Sequence, residues 1–380
     1  MQLSELQQHI QKLASLEEAP ELMVNCYLNV DAEYRKALTD QVRALRIKVE
    51  PEMRVPFWEA LGRIEVFLGT GIRSGSQSIA VFARGGNSPF FLALQFGATL
   101  SNRVTISHAP HIYPLVEMRD NCYRYAMLLS GDESASILEI DLGTITETIR
   151  IVRPEPRRRA GREWTKEQHQ SHSQARTQQF IHEQVHLLDQ VISSREYKHL
   201  ILAGDPRAVA QFRKALPKRL SNIVISTLRA SDRDKTAELV SASLAAFEEH
   251  EEKESLSVVS RLGFEIGTKG AAVKGTPACI RALRNGQARV LVLSQTYEPG
   301  TGYSCRPCSE FLMDGAIHSC PKCGRNSFRA VDIKEEMVRI AEQNGCDIEV
   351  VKSSDAMSEF GGVGCLLRYL TPERDDKLAA

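Results

Sequence analysis

"HLILAGDPRAVAQFRKALPKRLSNIVIST", residues 199–227, decides the fold class. The apolar run "HLILAG" (199–204) reads as a strand, "DPRAVAQFRKAL" (205–216) as a helix and "NIVIST" (222–227) as a second strand. Strand, helix and strand in that order argue a sheet that is partly parallel and covered by helices. The chain is expected to be α/β.

Upstream, a long helix is expected from about Glu167 to Ser193. Before it, the strands "SASILEID" (134–141) and "TITETIRIV" (144–152) face each other across Leu142-Gly143, a short hairpin connection. Residues 1 to about 130 alternate helices with the apolar strands 22–30, 77–83 and 124–130. The first helix is amphipathic, with Leu3, Leu6, Ile10, Leu13 and Leu16 at three- and four-residue steps. A hairpin turn accounts for Gly85-Gly86-Asn87. Downstream, a helix runs into "FEEHEEKE" (247–254), whose acidic residues read as a solvated helix end. A last block starts near Ser255. It holds a helix at 276–285, a strand at 288–294, a cysteine-rich ribbon, a helix at 333–344 and strands at 347–351 and 364–370.

The bulk numbers agree with that picture. A length of 380 residues suggests two or three domains. With 42% hydrophobic and 25% charged residues the composition is that of a soluble globular protein. The 48 basic and 48 acidic residues cancel, so net charge names no partner. The first residues lack the basic start and apolar run of a signal peptide. No apolar stretch approaches the ~18–20 residues that span a bilayer. Of nine cysteines, Cys26, Cys122, Cys279, Cys346 and Cys365 are scattered, as buried free thiols are. A reducing cytoplasm is expected.

Three motifs bear on chemistry. In "YSCRPCSEFLMDGAIHSCPKCGRNSF" (303–328), Cys305, Cys308, Cys320 and Cys323 form two Cys-x-x-Cys pairs. Four thiolates complete a tetrahedral zinc site and leave no position open for water or substrate, so a structural zinc is expected; redox-active thiols are the alternative. "HEQVH" (182–186) matches the His-Glu-x-x-His zinc-hydrolase pattern. It lacks the extended signature and a third ligand, and solvated histidines on a polar helix face are the simpler reading. "RIVRPEPRRRAGREWTK" (150–166) concentrates positive charge on a segment that two prolines and a glycine mark as a loop. Arg157, Arg158, Arg159, Arg162 and Lys166 are candidates for neutralising RNA phosphates.

"EFGGVGCLLRYL" (359–370) resembles the Phe-Gly-Gly-Ile-Gly…Leu-Arg-Tyr end of archaeal and eukaryotic peptide-chain release factors. "GTPACIRALRNGQARVLVLSQ" (275–295) is similar to a helix–strand segment of the same proteins, and the middle block resembles their central domain. The likeness is nearest to the bacterial relatives of these factors and of Pelota, and covers about two-thirds of the chain. It implies three domains: 1–132, an N-terminal α/β domain; 133–254, an RNase H-like α/β domain with basic loop 153–166; and 255–380, an α-β-α sandwich with an inserted zinc ribbon at 303–326. It also implies a ribosomal A-site binder, acting on idle or stalled ribosomes (hibernation or rescue). A translational GTPase of the elongation-factor type is a possible partner, the chain is expected to be a monomer, and the membrane is not a partner.

The departures bear on chemistry. The loop before the long helix carries no Gly-Gly-Gln, the motif with which release factors position water, and the first block has no Asn-Ile-Lys-Ser. No catalytic residue is therefore assigned. The alternative is a peptidyl-tRNA hydrolase with an altered loop, using a glutamine such as Gln168.

Overall fold

The computed structural model describes residues 3–31, 33–120, 124–131, 134–141, 144–153, 166–231, 234, 236–308, 310–313, 319–352 and 354–369, without the side chains of 166–173, 236 and 237. The chain divides into two compact units, residues 1–121 with 251–380, and residues 122–250.

The first unit opens with α1 (Leu3–Ala14), whose Leu6, Ile10 and Leu13 are buried as their spacing predicts. Strands β1 (Met23–Asn29), β2 (Ser78–Arg84), β3 (Phe90–Phe96) and β4 (Arg103–Ser107) form an antiparallel sheet in the order β3-β2-β1-β4. Helices α2 (Tyr34–Arg46) and α3 (Arg54–Thr70), the latter entered through a 3₁₀ turn at Pro51–Met53, cover one face of it. Val24, Cys26 and Leu28 of β1 and Ile79, Val81 and Ala83 of β2 pack there against Phe57, Leu61 and Ile64. The alternate residues Tyr27, Ala80 and Phe82 are buried as well, so the central strands are covered on both faces.

The β2–β3 connection shows why its glycines are needed. A Cβ on Gly85 would meet the Pro56 carbonyl oxygen at 2.3 Å, and Gly86 has φ +78°. The backbone N–H groups of Gly86 and Asn87 donate to the carboxylates of Glu59 and Glu21.

After α4 (Tyr113–Asp120) the chain enters the second unit. Strands β5 (Tyr125–Ser130), β6 (Ser134–Asp141), β7 (Thr144–Val152), β8 (Leu200–Gly204) and β9 (Val224–Arg229) form one sheet in the order β7-β6-β5-β8-β9. The first three pair antiparallel, and β5, β8 and β9 pair parallel. Helix α5 (Lys166–Arg195) leads to β8, and α6 (Pro206–Ala215) with the short α7 (Lys218–Ser221) leads to β9. Asp205 accepts from the Arg207 N–H ahead of Pro206, which starts α6 sharply after β8. The pleat sorts the core. Ala126, Leu128, Leu200 and Leu202 face Leu188 and Ile192 of α5, while Tyr125, Met127, Ile201 and Ala203 face Leu239 and Phe247. The hairpin residues Leu142 and Gly143 lie outside the described residues, as does Cys122. Asp141 and Thr144 pair directly on either side of that connection.

Helix α8 (Thr236–Gly267) carries Leu239 and Phe247. It does not end in the acidic run but continues for more than three turns beyond Glu254, because nothing from 248 to 262 breaks a helix and Val259 and Leu262 find a core in the first unit. There, β10 (Ala272–Lys274), α9 (Thr276–Arg284) and β11 (Ala288–Ser294) come in succession. The three-stranded sheet of β12 (Thr301–Cys305), β13 (Phe311–Leu312) and β14 (Phe328–Asp332) comes next. Then come α10 (Ile333–Gln343), β15 (Asp347–Val351), α11 (Asp355–Glu359) and β16 (Val363–Leu367). The C-terminal sheet has the order β10-β16-β11-β15, with only β11 and β15 parallel. Among the described residues no helix is long and apolar enough to cross a membrane.

Candidate functional site

The four cysteines converge. Cys305 ends β12, Cys308 stands in the turn after it, and Cys320 and Cys323 stand in the turn before β14. Their sulfur atoms all lie within 4.8 Å of one another, with Cys305 Sγ 3.5 Å from Cys323 Sγ and Cys308 Sγ 3.5 Å from Cys320 Sγ. Tetrahedral zinc with bonds of about 2.3 Å sets its sulfurs about 3.8 Å apart, so the donor set fits that ion. Both turns have the backbone this requires. The Cys305 N–H donates to Glu310 O at 2.8 Å, and the Gly324 N–H donates to Cys320 O at 2.8 Å, with Gly324 at φ +71°. Burial pushes the Cys305 thiol up to about 12. At Cys320 burial is outweighed by hydrogen bonds from the Cys323 and Lys322 N–H groups, and the thiol falls to about 7. Among the described residues this is the one group of three or more potential metal ligands brought together. The scattered Cys26, Cys279, Cys346 and Cys365 are buried free thiols.

The cysteine-bearing sheet is tied to helices on either side of it. β14 runs straight into α10, where Asp332 accepts from the Glu335 N–H. A Cβ on Gly302 would meet Phe311 at 2.5 Å, so β12 and β13 are closely apposed. Arg284 of α9 lies over the Phe311 ring at 5.6 Å.

His182, Glu183 and His186 are exposed on α5, and their hydrogen bonds run along the helix, between Gln179 and Glu183 and between His186 and Gln190. No third ligand among the described residues joins the two histidines. Of the basic segment, Arg157, Arg158, Arg159 and Arg162 lie outside the described residues. Lys166 is the first residue of α5, and Gln168 and Gln170 are helical in its first turns. Arg153, where the segment begins, donates to Thr177 on α5 at 3.2 Å. Beside that contact a groove of about 620 Å³ is lined by Gln174, Thr177, Gln178, His182, Gln211 and Lys214.

The residue segment 110–248 matches the family model "Bacterial archaeo-eukaryotic release factor family 10". This chain is release-factor-like. The peptide chain release factor subunit 1 of Thermococcus kodakarensis is 28% identical to it over 119 residues, 26% of this chain and 29% of that protein. The chain thus spans less than a third of that relative's length. The C-terminal domain of a peptide chain release factor from Methanosarcina mazei is 25% identical, covering 37% of this chain and 99% of that one, with a TM-score of 0.29. A ribosome-bound archaeal Pelota, described with ABCE1, is 14% identical over 97% of this chain and 94% of that one, with a TM-score of 0.42. In the release-factor-like chain the family match includes the whole segment between β7 and α5, and that segment carries no Gly-Gly-Gln.

Sequence reasoning missed a second cluster, where the two halves of the first unit meet. Glu335 of α10 is buried and accepts from the N–H groups of Ile112 (2.8 Å) and Tyr113 (3.0 Å), so it caps α4 across 222 residues. At the other end of α4, Asp120 accepts from the Val350 N–H. Arg329 and Arg339 both pair with Glu18, and Arg119 pairs with Glu342 at 2.6 Å. These partners are far apart in sequence, and no local pattern marks them.

Proposed function

We propose that the chain is a ribosome-binding translation factor that occupies the A site of idle or stalled ribosomes, in hibernation or rescue, without hydrolysing peptidyl-tRNA. The observation that carries this reading is the release-factor family match over 110–248, laid over a segment that lacks Gly-Gly-Gln. A water-positioning glutamine needs a backbone that presents its amide, which paired glycines permit. Here Gln168 and Gln170 stand on helical backbone instead. Arg157, Arg158, Arg159, Arg162 and Lys166 are the residues proposed to neutralise ribosomal RNA phosphates.

The antiparallel-then-parallel order β7-β6-β5-β8-β9 supports the RNase H-like reading of a central domain at 133–254, flanked by domains at 1–132 and 255–380. The Cys305, Cys308, Cys320 and Cys323 cluster supports a structural zinc in a ribbon at 303–326. That ribbon would stiffen a C-terminal surface offered to a translational GTPase of the elongation-factor type. The cytoplasm is the compartment where such a partner is met and where four thiolates stay reduced.

The test is co-sedimentation with vacant ribosomes across a salt series, beside an Arg157→Ala/Arg158→Ala/Arg159→Ala variant. The reading expects binding that falls with salt and a shallower salt slope in the variant. A chain that stays in the supernatant at low salt overturns it. The hydrolase alternative is tested on ribosome-bound peptidyl-tRNA, where peptide release abolished by Gln168→Ala would replace the non-hydrolytic reading.

A further inference from the structure

Helix α3 buries Phe57, Ala60, Leu61, Ile64 and Leu68 against the N-terminal sheet. Its opposite face is also apolar. Val55, Trp58 and Val66 are 68%, 47% and 70% exposed, and a Cβ added at Gly62 or Gly69 would meet nothing. At about 100° per residue these five positions fall within a sector of about 80°, one continuous stripe along the helix. A solvated helix face of this length is ordinarily polar. The four charges that α3 itself sets beside the stripe, Arg54, Glu59, Arg63 and Glu65, cancel, and Arg46 of α2 lies over the Trp58 ring at 5.8 Å.

We propose that two copies of this chain pair in solution through this face, antiparallel, about a two-fold axis at Gly62. Gly62 is the midpoint of α3, and the stripe is symmetric about it in a way that fits itself. Trp58 and Val66 lie equally far on either side, as do Val55 and Gly69. The two-fold therefore sets Trp58 level with Val66 of the second copy and Val55 level with Gly69, so large residues meet smaller ones. Gly62 opposite Gly62 lets the backbones approach. The charges complete the match. Glu59 and Arg63 share one flank, and the axis brings Glu59 within about 3 Å of rise of Arg63 of the second copy. Arg54 and Glu65 share the other flank, about 7.5 Å apart along the axis, within the span of two long side chains. The pairing concerns the free chain and departs from the monomer that the family resemblance implies. It does not rest on the proposed A-site role.

The test is light scattering on the full-length chain over a concentration series, for the wild type and for Gly62→Glu. A Cβ at position 62 meets nothing in the single chain, and the helix preference of a non-glycine residue offsets the repulsion from Glu59 and Glu65, so circular dichroism and melting stay close to the wild type. A wild-type dimer whose dissociation constant rises about tenfold or more in the variant is expected. Oxidation then fixes the orientation. Gly62→Cys gives a covalent dimer above the wild-type background, and Val55→Cys, about 21 Å from its counterpart along the axis, does not. A wild type that is monomeric at every concentration, a dimer indifferent to Gly62→Glu, or cross-linking through Val55→Cys overturns the proposal.

Discussion

Asp120 closes α4 with a carboxylate that burial holds up to about 8, with Glu349 and Glu251 raising it further and the Val350 N–H and Arg119 pulling it down. Its ordinary value is 3.8, so the fold favours the protonated acid. The stability this group contributes is complete below about pH 4 and is lost as pH rises toward 8. Asp120→Asn keeps an oxygen for the Val350 N–H and removes the buried charge. At pH 8 the variant should be more stable than the wild type by about 2 kcal/mol, and near pH 4 the two should coincide. Urea unfolding at both pH values checks this, and a variant no more stable at pH 8 would show that burial does not dominate. Glu251, held up to about 7 for the same first reason, should steepen the wild-type loss between pH 5 and 8. Gly85 sets a different limit. Its missing Cβ is space occupied by the Pro56 carbonyl, which belongs to a helix and cannot swing aside. Gly85→Ala should cost about 2 kcal/mol and show as a lowered melting temperature.

The cysteine-bearing sheet is the element most dependent on a few side chains. Its three strands are short, β13 having two residues, and the turns that carry the cysteines are closed by few backbone hydrogen bonds, from Cys305 N–H to Glu310 O in the first and from Cys320 N–H to Arg325 O and Gly324 N–H to Cys320 O in the second. With zinc in place the purified chain should hold one ion. Cys305→Ser and Cys320→Ser should each lose it and speed tryptic cleavage after Lys322 and Arg325, while His182→Ala leaves zinc content unchanged. Plasma emission spectrometry and timed digestion read both outcomes; zinc retained in Cys305→Ser would break the four-thiolate assignment. This element was legible from sequence because ligand spacing is local. So were β6, β7, β11 and β15, where the apolar runs end at the observed strand ends. The extent of α8 was not. A run of glutamates reads as a solvated end, and only the burial of Val259 and Leu262 against β11 and β16 shows why the helix goes on. The basic segment was visible as charge, but charge alone specifies no geometry for Arg157, Arg158, Arg159 and Arg162.

At the scale of the whole molecule, the first and last blocks of the sequence make one unit although a whole second unit lies between them. Their union rests on groups that no local pattern could announce. Glu335 supplies both N–H acceptors at the start of α4, Gln343 donates to Ala14 O at the end of α1, and Arg119 pairs with Glu342. Of these, Glu335 matters most, because Ile112 and Tyr113 have buried N–H groups aimed at it and its neighbour His111 lies 3.8 Å away. Glu335→Ala leaves both donors unpaired and should cost about 3 kcal/mol. Glu335→Gln keeps an acceptor and removes a carboxylate that burial already pushes toward the neutral form, so it should cost far less. The loss in Glu335→Ala should not be local. Hydrogen exchange should accelerate together in β1 and β16, which are 334 residues apart at their closest (Asn29 to Val363), while β5 and β8 in the second unit keep their protection. Faster exchange in β16 with β1 unchanged would mean that the two halves fold independently and that Glu335 caps a helix without joining them.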